Sequence, residues 1–307
     1  MPERSGLAAG RTPSRRRGMI VDCHTQICSA STQAVHGGVA VVEAAQVDAD
    51  RHFAAVDPVD RAIVLGFKST YLKTEISNQY VSEYVRRYSS KLIGFAGIDP
   101  TEPGCLDELA RAQEELGLKG AVISPALQDF HPSDTRALRL YRECVRRGMP
   151  VLVEQSHRNP AAKLEFARPL LLDEVAREFP ELRIVIAQMG YPWVDETVVL
   201  LSKHAHVYAD VAGLLPRPWL SYNALLSAYE YGVMHKLLFG SDFPYRSPAA
   251  CIEALYSINQ LAGGTNLVAI PREQLRGIVE RDALGLLGIE QRAGGGPRRT
   301  ASIVEDV

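Results

Sequence analysis

Along most of the chain, short apolar runs alternate with amphipathic segments of helical period. Val/Ile/Leu enrichment, run length and flanking turn residues predict strands near 19–26, 61–66, 92–98, 119–124, 150–154, 182–187, 206–211 and 236–240. Helices are predicted near 75–89, 105–117, 134–148, 163–179, 193–204, 217–233, 248–262 and 271–288. The clearest runs from Asp134 to Gly148: an acidic start, apolar residues three and four apart, a basic last turn and a terminal glycine, with Pro150 opening the next strand. A β-then-α alternation repeated eight times predicts a (β/α)8 TIM barrel of the α/β class. No GxGxxG or Walker loop supports a nucleotide fold.

Such a barrel gathers its chemistry at the C-terminal ends of its strands, and there the apolar runs are interrupted by polar residues. The first strand carries Asp22, His24 and Gln26 at alternate positions, which predicts one shared face. Ser124 ends the fourth strand, Glu154 the fifth, Gln188 the sixth and Asp210 the seventh. Asp242 follows the eighth inside Gly240-Ser241-Asp242-Phe243-Pro244. An unpaired buried polar group costs several kcal/mol, so such a concerted set is a poor packing choice. Singly, each has a plainer reading: His24 as a hydrogen-bonded core histidine, Asp242 as the N-cap of the next helix, Gln188 as a partner for backbone groups, Asp22 and Asp210 as structural carboxylates. Glu154, directly after Pro150-Val151-Leu152-Val153, must be paired, solvated at the mouth or protonated.

With 46% hydrophobic and 23% charged residues and a net charge of −2, nothing in the composition argues for disorder, nucleic-acid binding or attraction to an anionic membrane. The exception is an arm over residues 1–18, where Arg4, Arg11, Arg15, Arg16 and Arg17 against Glu3 carry a net +4 and leave −6 for the rest. It reads as a disordered leader or a start misplaced ahead of Met19, with targeting or nucleic-acid contact as the alternative. Five scattered cysteines without a repeated CxxC indicate neither a disulfide framework nor a zinc knuckle, and fit a reducing, cytoplasmic setting. No apolar run approaches the roughly 18 residues of a membrane span. The glycine-rich tail has linker composition, so the expected division is a leader over 1–18, a barrel over 19–291 and a disordered tail over 292–307.

The chain resembles the amidohydrolase-related family, the branch of the amidohydrolase superfamily that includes aminocarboxymuconate-semialdehyde decarboxylase and related hydrolases. The resemblance spans most of 19–288. It rests on Ile20-Val21-Asp22-Cys23-His24-Thr25-Gln26, Ile93-Gly94-Phe95-Ala96-Gly97-Ile98-Asp99-Pro100, Gln188-Met189-Gly190-Tyr191-Pro192-Trp193 and Phe239-Gly240-Ser241-Asp242-Phe243-Pro244. Further matches are Gly117 to Ala121, Gln128 to Asp134 and Leu172 to Pro180. The family's usual metal site takes an HxH pair from the first strand, a histidine from each of the fifth and sixth, and an aspartate from the eighth. His24 and Asp242 match it, whereas Gln26, Glu154 and Gln188 stand at the other positions, and the fourth strand reads Val122-Ile123-Ser124-Pro125.

Amide oxygens replace imidazole poorly around zinc, so the resemblance implies a degraded centre. The expectation is no cofactor; the alternative is one divalent ion, zinc or manganese, on His24, Glu154 and Asp242. The function expected is hydrolysis of a small carboxylated or aromatic ester, lactone or amide, with Asp242 as general base and His24 as the second catalytic residue. Arg217, Gln26, Gln188 and His157 are the substrate-binding candidates, with Arg246 behind Arg217. A metal-dependent decarboxylase and a catalytically inactive, small-molecule-binding or scaffold barrel are the alternatives. The partner is then a small molecule, with no nucleic acid or membrane. A homodimer is the family-based expectation, for which Trp219, Tyr222, Tyr229 and Tyr231 are contact candidates, or else cover the barrel or line its mouth.

Overall fold

A computed structural model describes residues 18–27, 35–36, 39–40, 49–154 and 159–289. The arm ahead of Gly18, the tail, Cys28 and His157 lie outside the described residues.

Eight strands form one parallel sheet in chain order: β1 (Val21–Thr25), β2 (Arg61–Leu65), β3 (Leu92–Gly97), β4 (Gly120–Ile123), β5 (Val151–Val153), β6 (Ile184–Ile186), β7 (Val207–Asp210) and β8 (Leu237–Leu238). The barrel closes where the Cys23 amide donates to the Phe239 carbonyl (2.9 Å), the Asp242 amide donates to the His24 carbonyl (3.1 Å), and Thr25 bridges Phe243. Closure therefore passes through the neighbours of both candidate catalytic residues.

Strands covered on both faces read as near-continuous apolar runs. One face of these strands contributes Val21, Cys23, Ile63, Leu65, Ile93, Phe95, Val122, Leu152, Val185, Tyr208 and Leu238 to a cluster inside the barrel, plugged at the N-terminal end by Ala283, Leu284 and Leu287. The other face, with Ala62, Val64, Ala121, Val151, Ile184 and Ala209, joins the larger core beneath the helices.

The surrounding helices are α1 (Asn78–Arg87), α2 (Cys105–Glu114), α3 (Thr135–Arg147), α4 (Leu172–Glu178), α5 (Val194–Lys203), α6 (Pro218–Glu230), α7 (Pro248–Ser257) and α8 (Arg272–Val279). The helix expected over 163–179 is broken: two 3-10 turns, Leu164–Ala167 and Pro169–Leu171, precede α4, because Pro169 has no amide hydrogen to continue a helix. The segment expected over 271–288 also divides, since the Asp282 side chain caps a separate turn, Ala283–Leu286. A short helix at Ala49–Ala55, with no counterpart in the sequence prediction, fills the first β-to-α connection. Of the four aromatic contact candidates, Tyr222 is fully buried and its hydroxyl donates to the Val268 carbonyl, so it serves the core and is no subunit contact; Trp219 and Tyr231 are exposed. Cys23, Cys105, Cys144 and Cys251 are unpaired and buried, which pushes all four thiols up in pKa and makes them poor nucleophiles. Among the described residues, no helix is long and apolar enough to cross a membrane.

Candidate active site

At the end of β1 the strand gains a residue. Asp22 pairs with Ala62 and Thr25 with Val64, three residues of β1 against two of β2. Ala62 and Val64 share the helix-facing side, so Asp22 and Thr25 do too, and His24 turns into the barrel mouth. This corrects the expectation that Asp22 and His24 share a face. Simple alternation fails across a bulge, and the bulge is what aims His24 at the mouth.

His24 is 1% exposed and surrounded by carboxylates from three other strand ends. Its Nδ1 lies 3.0 Å from Asp210 Oδ2, its Nε2 3.1 Å from Glu154 Oε1, and Nε2 also lies 3.7 Å from Asp242 Oδ1. The Glu154 contact is a charge contact without good hydrogen-bond alignment, whereas the Asp210 contact is a hydrogen bond. Burial by itself disfavours a charged ring, but the Glu154 and Asp210 carboxylates override it and hold the His24 pKa well above the usual histidine range. The two carboxylates therefore favour the protonated ring.

Each carboxylate is held differently. Asp210 Oδ1 accepts from the amides of Gln188 (2.8 Å) and Ala212 (3.0 Å), which leaves Oδ2 for His24. Glu154 follows β5 with its amide on the Ile123 carbonyl, and the Ser124 hydroxyl donates to the Glu154 carbonyl (3.3 Å). Gln128 anchors that corner by accepting from the Ser124 amide and donating to the carbonyls of Lys68 and Ile98. Its structural part was not visible in the sequence, where Gln128 figured only in a stretch of resemblance. Asp22 points away from the mouth, and its Oδ1 accepts from the amides of His24 (3.2 Å) and Ser241 (2.9 Å). It thus ties together the two strand ends that carry His24 and Asp242. Burial raises the Asp22 pKa to about 6, against the lowering contacts of Ser241 and His24.

Asp242 adopts a left-handed backbone, φ 64°, uncommon for a residue with a Cβ, and its side chain keeps 15% exposure. It does not cap the following helix: Ser247 does, accepting from the Ala250 amide. Gly213, at φ +65°, comes so close that a Cβ there would stand 3.0 Å from Asp242 Oδ2 and 3.1 Å from the Gln188 amide, so both side chains pack against this glycine. Gln188 is half-buried in a left-handed turn. Gln26 is half-buried too, with its amide hydrogen on the Phe243 carbonyl. Arg217, at the start of α6, lays its guanidinium over the Tyr191 ring at 5.6 Å, beside the β6 loop. Arg246 is exposed.

The described donors do not fit a divalent-metal centre. Although Asp210, Glu154 and Asp242 gather on His24, no group of three or more His, Cys, Asp or Glu side chains among the described residues is arranged to hold a metal ion. In the candidate set His24, Glu154 and Asp242, the single imidazole already gives Nδ1 to Asp210 and meets Glu154 directly through Nε2, while Gln26 and Gln188 offer only amides.

No match is found among curated proteins. Among solved structures, the chain is similar to a probable 2-pyrone-4,6-dicarboxylic acid hydrolase of Acinetobacter baumannii with bound citric acid: 16% identity, TM-score 0.62, 88% of this chain and 99% of that one covered. It is similar to a dihydroxybenzoic acid decarboxylase of Polaromonas sp. JS666 with bound manganese and 2-nitroresorcinol, at 15% identity and TM-score 0.63, covering 89% and 97%. An uncharacterised TIM-barrel protein of Bordetella bronchiseptica gives 16% identity and TM-score 0.67, covering 88% and 99%. At such identities these likenesses bear on the fold, which is the TIM barrel expected from the alternation of strands and helices. The amidohydrolase family model matches residues 21–289 of the 307, and the protein belongs to that amidohydrolase family.

Proposed function

We propose that this protein is a hydrolase acting on a small carboxylated or aromatic ester, lactone or amide, with Asp242 as general base and no resident metal. The observation that carries the reading is the pairing of two unlike groups at the mouth. His24 is held between Asp210 and Glu154, whose charges favour its protonated form, and the partly exposed carboxylate of Asp242 lies 3.7 Å from it. A histidine held protonated is a poor base, which leaves proton abstraction to Asp242.

In the proposed reaction a water bound at Asp242 gives it a proton as its oxygen attacks the substrate carbonyl carbon. The carbonyl π electrons move to oxygen, and the oxyanion is stabilised by the buried positive charge of His24. Collapse breaks the bond to the alkoxide or amine, which takes the proton back from Asp242, so the acid product leaves and the carboxylate is restored. Arg217, stacked on Tyr191 at the rim, suits a substrate carboxylate, with Gln26 and Gln188 as amide partners for the body of the molecule. The dicarboxylic acid named for the Acinetobacter structure fits this class of substrate.

The test is a panel of aryl esters, lactones, amides and aromatic carboxylic acids, assayed with and without added zinc and manganese alongside metal analysis of the purified protein. Hydrolysis without metal that is abolished in Asp242→Asn supports the reading. Release of carbon dioxide only with bound manganese would replace it with the decarboxylase reading, and the absence of any turnover would leave a binding barrel.

A further inference from the structure

We propose that His52, in the short helix Ala49–Ala55, is a positioning residue that sets the spacing of His24 and Asp242 from behind the barrel wall. The inference rests on reading His24 and Asp242 as the reacting pair.

His52 is wholly buried and meets Thr25, Tyr84 and Phe243. Its Nε2 lies 2.9 Å from Thr25 Oγ1, its Nδ1 lies 2.8 Å from the Tyr84 hydroxyl, and its ring meets Phe243 edge to face at 5.4 Å between centroids. Thr25 directly follows His24, and Phe243 directly follows Asp242. These two residues also form the bridge that closes the barrel, and the Gln26 amide adds a bond to the Phe243 carbonyl (2.9 Å). One imidazole therefore grips the chain immediately after each member of the pair.

The hydrogen-bond directions can be assigned. Thr25 has a single hydroxyl proton and donates it to the Ile63 carbonyl at 2.7 Å, so it accepts from His52, and Nε2 carries the hydrogen. Nδ1 is then the acceptor for the Tyr84 hydroxyl. The chain Tyr84, His52, Thr25, Ile63 has one direction throughout and links α1 to the end of β1 and the middle of β2. Burial lowers the His52 pKa to about 4, so the ring stays neutral at working pH and holds its partners by direction instead of charge. Thr25 lies on the helix-facing side of the β1 bulge, and the bulge needs such an anchor to keep His24 turned the opposite way.

The experiment compares full-length His52→Phe, which keeps an aromatic ring against Phe243 but removes both hydrogen bonds, with His52→Gln, which restores a donor toward Thr25. The readouts are the His24 ring nitrogen signals by NMR, the Tm, and kcat and KM on the substrate found in the panel above. The expected result is displaced His24 signals in His52→Phe, a fall in kcat of at least about tenfold with KM little changed, and partial recovery of both in His52→Gln; a misplacement of 1 Å is worth on the order of 10²-fold. Unmoved His24 signals and unchanged kcat in a folded His52→Phe would overturn the inference, as would a lowered Tm with unmoved signals, which would assign His52 to packing alone. If His52→Phe does not fold, Thr25→Val breaks the same link from the other side and is judged by the same shifts. Turnover that survives in Asp242→Asn would sink the proposed chemistry instead, while the NMR arm still decides whether His52 positions His24.

Discussion

The Asp210 carboxylate holds the His24 ring by a 3.0 Å hydrogen bond while its other oxygen is fixed by two backbone amides, so the ring inherits the rigidity of β7 and the β6 loop. Asp210→Asn keeps an acceptor for those amides but removes the charge that supports the imidazolium. The His24 pKa should then fall, read by NMR titration, and the protein should lose about 3 kcal/mol in denaturant melts, the low end for breaking a buried pair. Because the folded His24 pKa is raised, its charge-linked stability is complete below the unfolded value of 6.5 and is lost as pH rises through the folded one. The variant should lose that contribution at lower pH than the wild type.

Asp22 gives a second pH signature of the same sign. Its folded pKa is about 6 against 3.8 unfolded, so the folded state holds more protons between those values and stability falls as pH rises through that window. Asp22→Asn removes the titration while keeping an oxygen for the His24 and Ser241 amides. The stability of the variant relative to wild type should improve from pH 4 to pH 6 and then level off, by no more than about 3 kcal/mol. Urea melts across the range would check this, and a difference independent of pH would contradict it.

Gly213→Ala tests how tightly the Asp242 side chain is confined. The left-handed backbone costs an alanine about 1–2 kcal/mol, and the new methyl would press on Asp242 Oδ2 and the Gln188 amide. A lowered Tm together with at least tenfold loss of hydrolysis is expected, while Ala at Gly148, a left-handed helix cap remote from the mouth with open space around it, should cost stability alone.

Arg217→Ala should raise KM for carboxylated substrates about tenfold or more with little change in kcat, and should leave uncharged ester analogues nearly unaffected. A uniform fall in kcat for both substrate types would instead place Arg217 in oxyanion stabilisation.

Much of the barrel was legible because each of its parallel strands is buried on both faces and must be an apolar run between turn residues. The helix over 134–148 was readable at both ends, since Asp134 caps it by accepting from the Arg136 amide and Gly148 closes it in a left-handed turn. The Ala49–Ala55 helix was not, because seven residues give too little period to separate a helix from a loop, and His52 was missed with it. His157 lies outside the described residues, while Arg217, a candidate from the segment after the seventh strand, stands at the start of α6 with its guanidinium over the Tyr191 ring.

The sequence by itself determined the number and order of the strands and the polar residues at their ends, because these are properties of local pattern and residue type. Only the tertiary structure decided that Asp22 faces away from His24, that Asp210, 186 residues distant, shares its proton-bearing ring, and that Glu154 meets the other nitrogen. A one-residue bulge reverses every side chain beyond it, and the interaction of buried charges depends on separations of a few ångströms that closing the barrel alone establishes.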